Sequence, residues 1–134
     1  MRHRTAAAAA LLAAASLGAA AAGGEARAPG VKSVTLPARA QPFFAILSGP
    51  PETASMESGL VTLEPGKSAG VHDTGEYEEI VVPLAGEGEL RVPGRPALPL
   101  AKGVVAYSPP GTSHDVVNTG KAALTYIFVA ARAR

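Results

Sequence analysis

Short runs of Val, Leu, Ile, Phe, Thr and Tyr follow one another from Val31 onward, and Gly or Pro interrupts each run before a helical repeat can develop. They recur about every 8 to 12 residues, the spacing of strands in β-sandwiches and small barrels. Eight strands are expected: Val31–Leu36, Phe43–Leu47, Ser58–Leu63, Glu79–Pro83, Glu89–Val92, Val104–Tyr107, Ser113–Asn118 and Ala123–Ala130. The turns between them are marked by Pro65-Gly66, Ala85-Gly86, Pro93-Gly94, Pro109-Pro110-Gly111 and Asn118-Thr119-Gly120. Beyond the first 22 residues no long segment repeats its apolar positions at helical intervals, so the predicted class is all-β.

Those first residues follow a different pattern. Arg2 and Arg4 precede an Ala/Leu run from Ala6 to Leu17, and small residues lead to Ala20-Ala21-Ala22. This is the layout of a secretory signal, with cleavage expected before Gly23. The run is too short and too rich in alanine for a membrane anchor. The expected organisation is therefore a signal peptide over 1–22, a flexible lead-in with the first strand over 23–40, and one β-barrel domain over 41–134. The 112 or so mature residues suit a single core. An exported protein, periplasmic or secreted and of bacterial composition, with no stable membrane insertion, is the expectation. Without cysteine the chain forms neither disulfides nor thiolate metal sites. It has 12 basic and 11 acidic residues, and losing Arg2 and Arg4 with the signal leaves one net negative charge. That balance gives no electrostatic case for nucleic acid.

The mature chain holds only two histidines, His72 and His114. Each sits in a spaced block. The first reads Gly66-x5-His72-x-Thr74-x4-Glu79-x6-Gly86, and the second Gly103-x5-Pro109-x-Gly111-x2-His114-x3-Asn118. Residues two apart on a strand share a face, so His72 and Thr74 point the same way. Glu79 has the opposite parity, and the chain around Gly75 must bend to bring it round. His114, Val116 and Asn118 share a face after the Pro-Pro-Gly turn, and Asn118 also reads as a turn residue before Thr119-Gly120. Tyr107, Tyr126 and Phe128 read as core or pocket-wall residues. Asp73 and Asp115 have the wrong parity beside their histidines.

These blocks closely resemble the cupin superfamily, whose motifs are G-x5-H-x-H-x3–4-E-x6-G and G-x5-P-x-G-x2-H-x3-N. The second block matches at every fixed position. The first departs once, with Thr74 where the family has its second histidine. The resemblance implies a small jelly-roll-like β-barrel and a divalent metal held by His72, Glu79 and His114. Thr74 is then a weak ligand or a hydrogen-bond partner of a metal-bound water. Glu78 and Glu76 are the alternative carboxylates. Two imidazoles and one carboxylate with open positions suit iron(II), manganese(II), zinc or nickel. Such a site needs neutral imidazoles and an ionised carboxylate, so binding is expected to fade below about pH 6. The implied activities are oxygenase, isomerase or decarboxylase chemistry on a small organic molecule. The alternative is a non-catalytic cupin that binds a small ligand, for example a sugar, without metal. Pairing of an exposed edge strand points to a homodimer.

Overall fold

A computed structural model describes residues 28–134. The expected signal peptide lies outside the described residues. Nine strands follow in order: β1 Phe43–Ser48, β2 Glu57–Leu63, β3 His72–Asp73, β4 Tyr77–Ala85, β5 Glu87–Arg91, β6 Leu98–Ala101, β7 Ala106–Ser108, β8 Ser113–Asn118 and β9 Leu124–Arg132. All pairings are antiparallel. One sheet has the order β1-β2-β9-β4-β7 and the other β3-β8-β5-β6. Val61, Val81, Leu124 and Tyr126 of the first pack with Leu90, Leu100 and Val116 of the second in a single buried cluster. The two sheets therefore close on one core, as a small jelly-roll barrel does.

Three differences from the sequence pattern have local causes. Val31–Leu36 forms no strand, and the Val31 side chain is fully exposed. Strand-forming residues without a sheet edge to pair with remain merely extended. The pattern gave no sign of β3, because two residues are too few to show an alternation. It also hid β6, where Pro99 interrupts Leu98–Ala101. That strand is the outer edge of its sheet, where a missing N–H breaks no ladder.

Asn118 is more than a turn residue. It is almost completely buried, and its Nδ2 donates to the carbonyls of Leu63 and Ala122, both at 2.8 Å. Its Oδ1 accepts from Gly120 N at 2.9 Å. One amide thus ties the end of β2 to the β8–β9 turn. Gly86 closes the β4–β5 turn with φ of 81°, and a Cβ there would lie 2.2 Å from the Ala123 carbonyl oxygen. Gly66 has a similar φ of 76°, but open space surrounds it.

These surroundings separate two glycines that the sequence presents alike. Gly66→Ala should cost only the left-handed backbone penalty, about 1–2 kcal/mol. Gly86→Ala adds a collision with backbone, and should cost about 3 kcal/mol or more. Urea unfolding of the two variants measures this; equal losses would show that the β4–β5 turn relaxes freely.

Candidate metal centre

The chain crosses from one sheet to the other between His72 and Glu79, and this crossing builds the site. His72 ends up on β3 directly opposite His114 on β8, while Glu79 belongs to β4 of the facing sheet. The parity mismatch between His72 and Glu79 has this origin, with Gly75 at φ of 56° in the connection. One ligand atom from each of His72, Glu79 and His114 lies within 4.8 Å of the other two. The two imidazole centroids are 4.4 Å apart, and His114 Nε2 stands 3.1 Å from Glu79 Oε1.

Each ring is oriented from its far side. His72 Nδ1 lies 2.8 Å from the Gly70 carbonyl, and His114 Nδ1 lies 3.1 Å from that of Thr112. A carbonyl only accepts, so each Nδ1 carries the proton. Whenever the ring is neutral, Nε2 is then its lone-pair nitrogen, the arrangement found in metal-ligating histidines held by an outer partner. The donor set therefore fits a divalent cation: two imidazole nitrogens and a carboxylate converge, and Glu79 and His114 are both buried.

Thr74 supports this arrangement from outside it. Its hydroxyl donates to the Pro109 carbonyl at 2.9 Å and accepts from Thr112 N at 2.9 Å. The Thr112 carbonyl in turn receives the His114 proton and the Thr74 N–H. Gly111 N donates to Gly75 O at 2.8 Å, completing the clamp. The hydroxyl thus locks the Pro-Pro-Gly turn to the sheet crossing, and through Thr112 it sets the His114 ring. The two other carboxylates have partners elsewhere. Glu78 accepts from the Tyr107 hydroxyl at 3.0 Å, and Glu76 is paired with Arg132. Glu79 is the carboxylate that the fold brings to the histidines.

A cavity of about 230 Å³ reaches this centre, lined by His72 and Glu79 together with residues of β1, β2 and β9. Tyr126 and Phe128 form part of its wall as expected, whereas Tyr107 is exposed on the outside of the barrel. Glu57, also in the wall, was not among the sequence candidates. Its parity with Gly59, Val61 and Leu63 was the available signal, since it continues the inward-facing side of β2. Asp115 is half-buried, and its Oδ1 is sealed without a partner.

Without a metal, His114 Nε2 faces a carboxylate and holds a proton well. Burial by itself lowers the pKa of His114, but the hydrogen bond and charge of Glu79 outweigh it, helped by the Thr112 carbonyl and the charge of Asp115. The result lies above the ordinary 6.5. A raised folded-state pKa contributes stability that is fully present below the unfolded value and is lost as pH rises through the folded one. In chelator-treated protein, an NMR titration should place the His114 midpoint above 6.5, and stability should fall as pH rises through that midpoint. A midpoint below 6.5 would mean that desolvation dominates and the Glu79 contact is weak.

The comparisons agree with the architecture. The cupin-domain family profile matches residues 59–130. Among solved structures, a cupin 2 conserved barrel domain protein from Salinispora arenicola superposes with a TM-score of 0.62 at 27% identity, covering 78% of this chain and 92% of that one. The cupin domain of Cnp3 from Schizosaccharomyces pombe gives a TM-score of 0.61 at 22% identity, over 68% of this chain and 64% of that one. A protein described as a sugar phosphate isomerase from Silicibacter pomeroyi gives 0.52 at 28% identity, over 60% of this chain and 53% of that one. No curated protein sequence matches the chain. With the two-sheet barrel and both motif blocks in place, the chain belongs to the cupin domain family.

Proposed function

We propose that this cupin binds one divalent metal through His72, Glu79 and His114, and that the cavity beside them admits a small organic molecule to the ion. One observation carries the reading: three potential ligands from two sheets converge at a cavity wall, with both imidazoles oriented by backbone carbonyls. Once bound, the ion would supply Lewis-acid or redox chemistry to a ligand occupying its open positions. The chain's own part is to orient the rings, to exclude water behind the buried His114, and to hold the organic molecule against apolar walls. The metal is iron(II), manganese(II), zinc or nickel by the nature of the donors. The isomerase description of the Silicibacter relative supports turnover; the absence of a fourth family ligand at Thr74 supports a non-catalytic binder. The basic, alanine-rich first 22 residues support export of the domain.

Metal analysis of protein prepared without a histidine tag tests the site. The parent should hold one equivalent after loading with iron(II), manganese(II), zinc or nickel. His72→Ala, Glu79→Ala and His114→Ala should each weaken binding by more than about 100-fold, beyond the effect of losing an outer partner. Glu78→Ala and Glu76→Ala should leave it unchanged. A folded parent that takes up none of the four metals would replace this reading with that of a metal-free ligand binder.

A further inference from the structure

The cavity has an uneven distribution of charge. Phe43, Leu47, Val61, Val116 and Phe128 supply apolar wall, with Phe43 and Phe128 stacked at 6.4 Å between centroids. Its charged wall residues are Glu57 and Glu79, with His72 as the other ionisable group beside Tyr126, and neither lysine nor arginine lines it. Glu57 and Glu79 stand in one cross-strand row, each opposite Ala130 on β9. Residues paired in this way project to the same face, with Ala130 between the two glutamates.

The partners of these groups differ. Glu79 is engaged by His114. Among the described residues, no hydrogen bond or ion pair engages the Glu57 carboxylate. Tyr126 is 3% exposed, and its hydroxyl likewise makes no hydrogen bond among the described residues. Among those residues, Asp115 Oδ1 is the buried side-chain polar atom sealed without a partner. The Tyr126 hydroxyl therefore keeps access to open space, and the space beside it is the cavity. Tyrosine hydroxyls in apolar surroundings ordinarily find a partner. A carboxylate facing an apolar cavity gains most from a cation, and the aromatic faces of Phe43 and Phe128 also favour positive charge. An anionic ligand would meet two carboxylates and neither lysine nor arginine.

We propose that the cavity selects a small amine, seating an apolar body against Phe43 and Phe128 and a protonated amino group on Glu57, with the Tyr126 hydroxyl as a second hydrogen-bond partner. This rests on the reading of the cavity as the ligand chamber of the metal centre. It also separates this chain from a sugar phosphate isomerase, whose phosphate calls for lysine or arginine side chains that this wall lacks.

Benzylamine, benzyl alcohol and benzoate have one shape and three charges, and calorimetric titration of each at pH 7 into the chelator-treated chain tests the selection. With no metal present, no ion can recruit benzoate. Benzylamine should bind at least about tenfold more tightly than benzoate, as a charge-assisted contact requires. Glu57→Gln should remove most of that ratio and Glu57→Lys should invert it. Tyr126→Phe should weaken all three probes while keeping their order. Equal or tighter binding of benzoate by the parent, no binding of any probe, or an unchanged ratio in Glu57→Gln overturns the proposal; the first two need no variant to fold. Metal uptake measured after reloading portions of the same preparations separates the two readings. An amine preference without metal uptake defeats the metal site alone, and metal uptake without the preference defeats the amine selection alone.

Discussion

A carboxylate inside a small apolar barrel has to be stabilised by something. Glu79 is buried at 5% exposure on a strand whose neighbours in the row are Ala130 and Ser108. An isolated ionised carboxylate in such a place costs several kcal/mol. In the metal-free protein its stabilising contact is the His114 imidazole, itself sealed completely from solvent. A proton on His114 Nε2 would lie where a divalent ion would sit, so a proton and a metal would compete for the same position. The strand crossing, the turn clamp and the cavity all serve to place this carboxylate opposite two imidazoles.

The clamp explains how a cupin keeps the geometry with threonine at a usual ligand position. Thr74 shares the inward parity of His72, but its hydroxyl is committed to Pro109 and Thr112. The consequence is a more open centre of three donors, held by a turn docked firmly at Gly75 and Gly111. If the three donors hold a metal, rigidity of the supporting groups would do part of the work of a fourth ligand, since an oriented imidazole loses less freedom on binding.

Much of the fold was legible because β2, β4, β5, β8 and β9 each carry enough residues to show their alternation, and because Gly86 and the Pro109–Gly111 turn end strands by backbone chemistry that sequence displays directly. The second motif block was complete through Asn118, and that residue does join two strands. What could not be read was pairing. Val31–Leu36 has the composition of a strand and no edge to join, whereas His72–Asp73 has almost no pattern and pairs with β8 because the crossing delivers it there. The same limit applied at the site. His72 and His114 were conspicuous through scarcity, and Glu79 through spacing. The choice of Glu79 over Glu78 and Glu76 depended on which face β4 presents, and Glu78 and Glu76 were found with Tyr107 and Arg132 instead. Glu57 lay outside both blocks, and the cross-strand row that sets it beside Glu79 exists only once β9 is inserted between β2 and β4.

The most direct test of the three-ligand centre is anomalous diffraction from crystals of the metal-loaded protein, collected on both sides of the absorption edge of the metal added. The expected result is one strong peak within bonding distance of His72 Nε2, His114 Nε2 and a Glu79 carboxylate oxygen, with the Thr74 hydroxyl still on Pro109 and Thr112. A fully loaded crystal with its peak elsewhere, or an intact His114–Glu79 hydrogen bond with no peak beside it, would contradict the assignment.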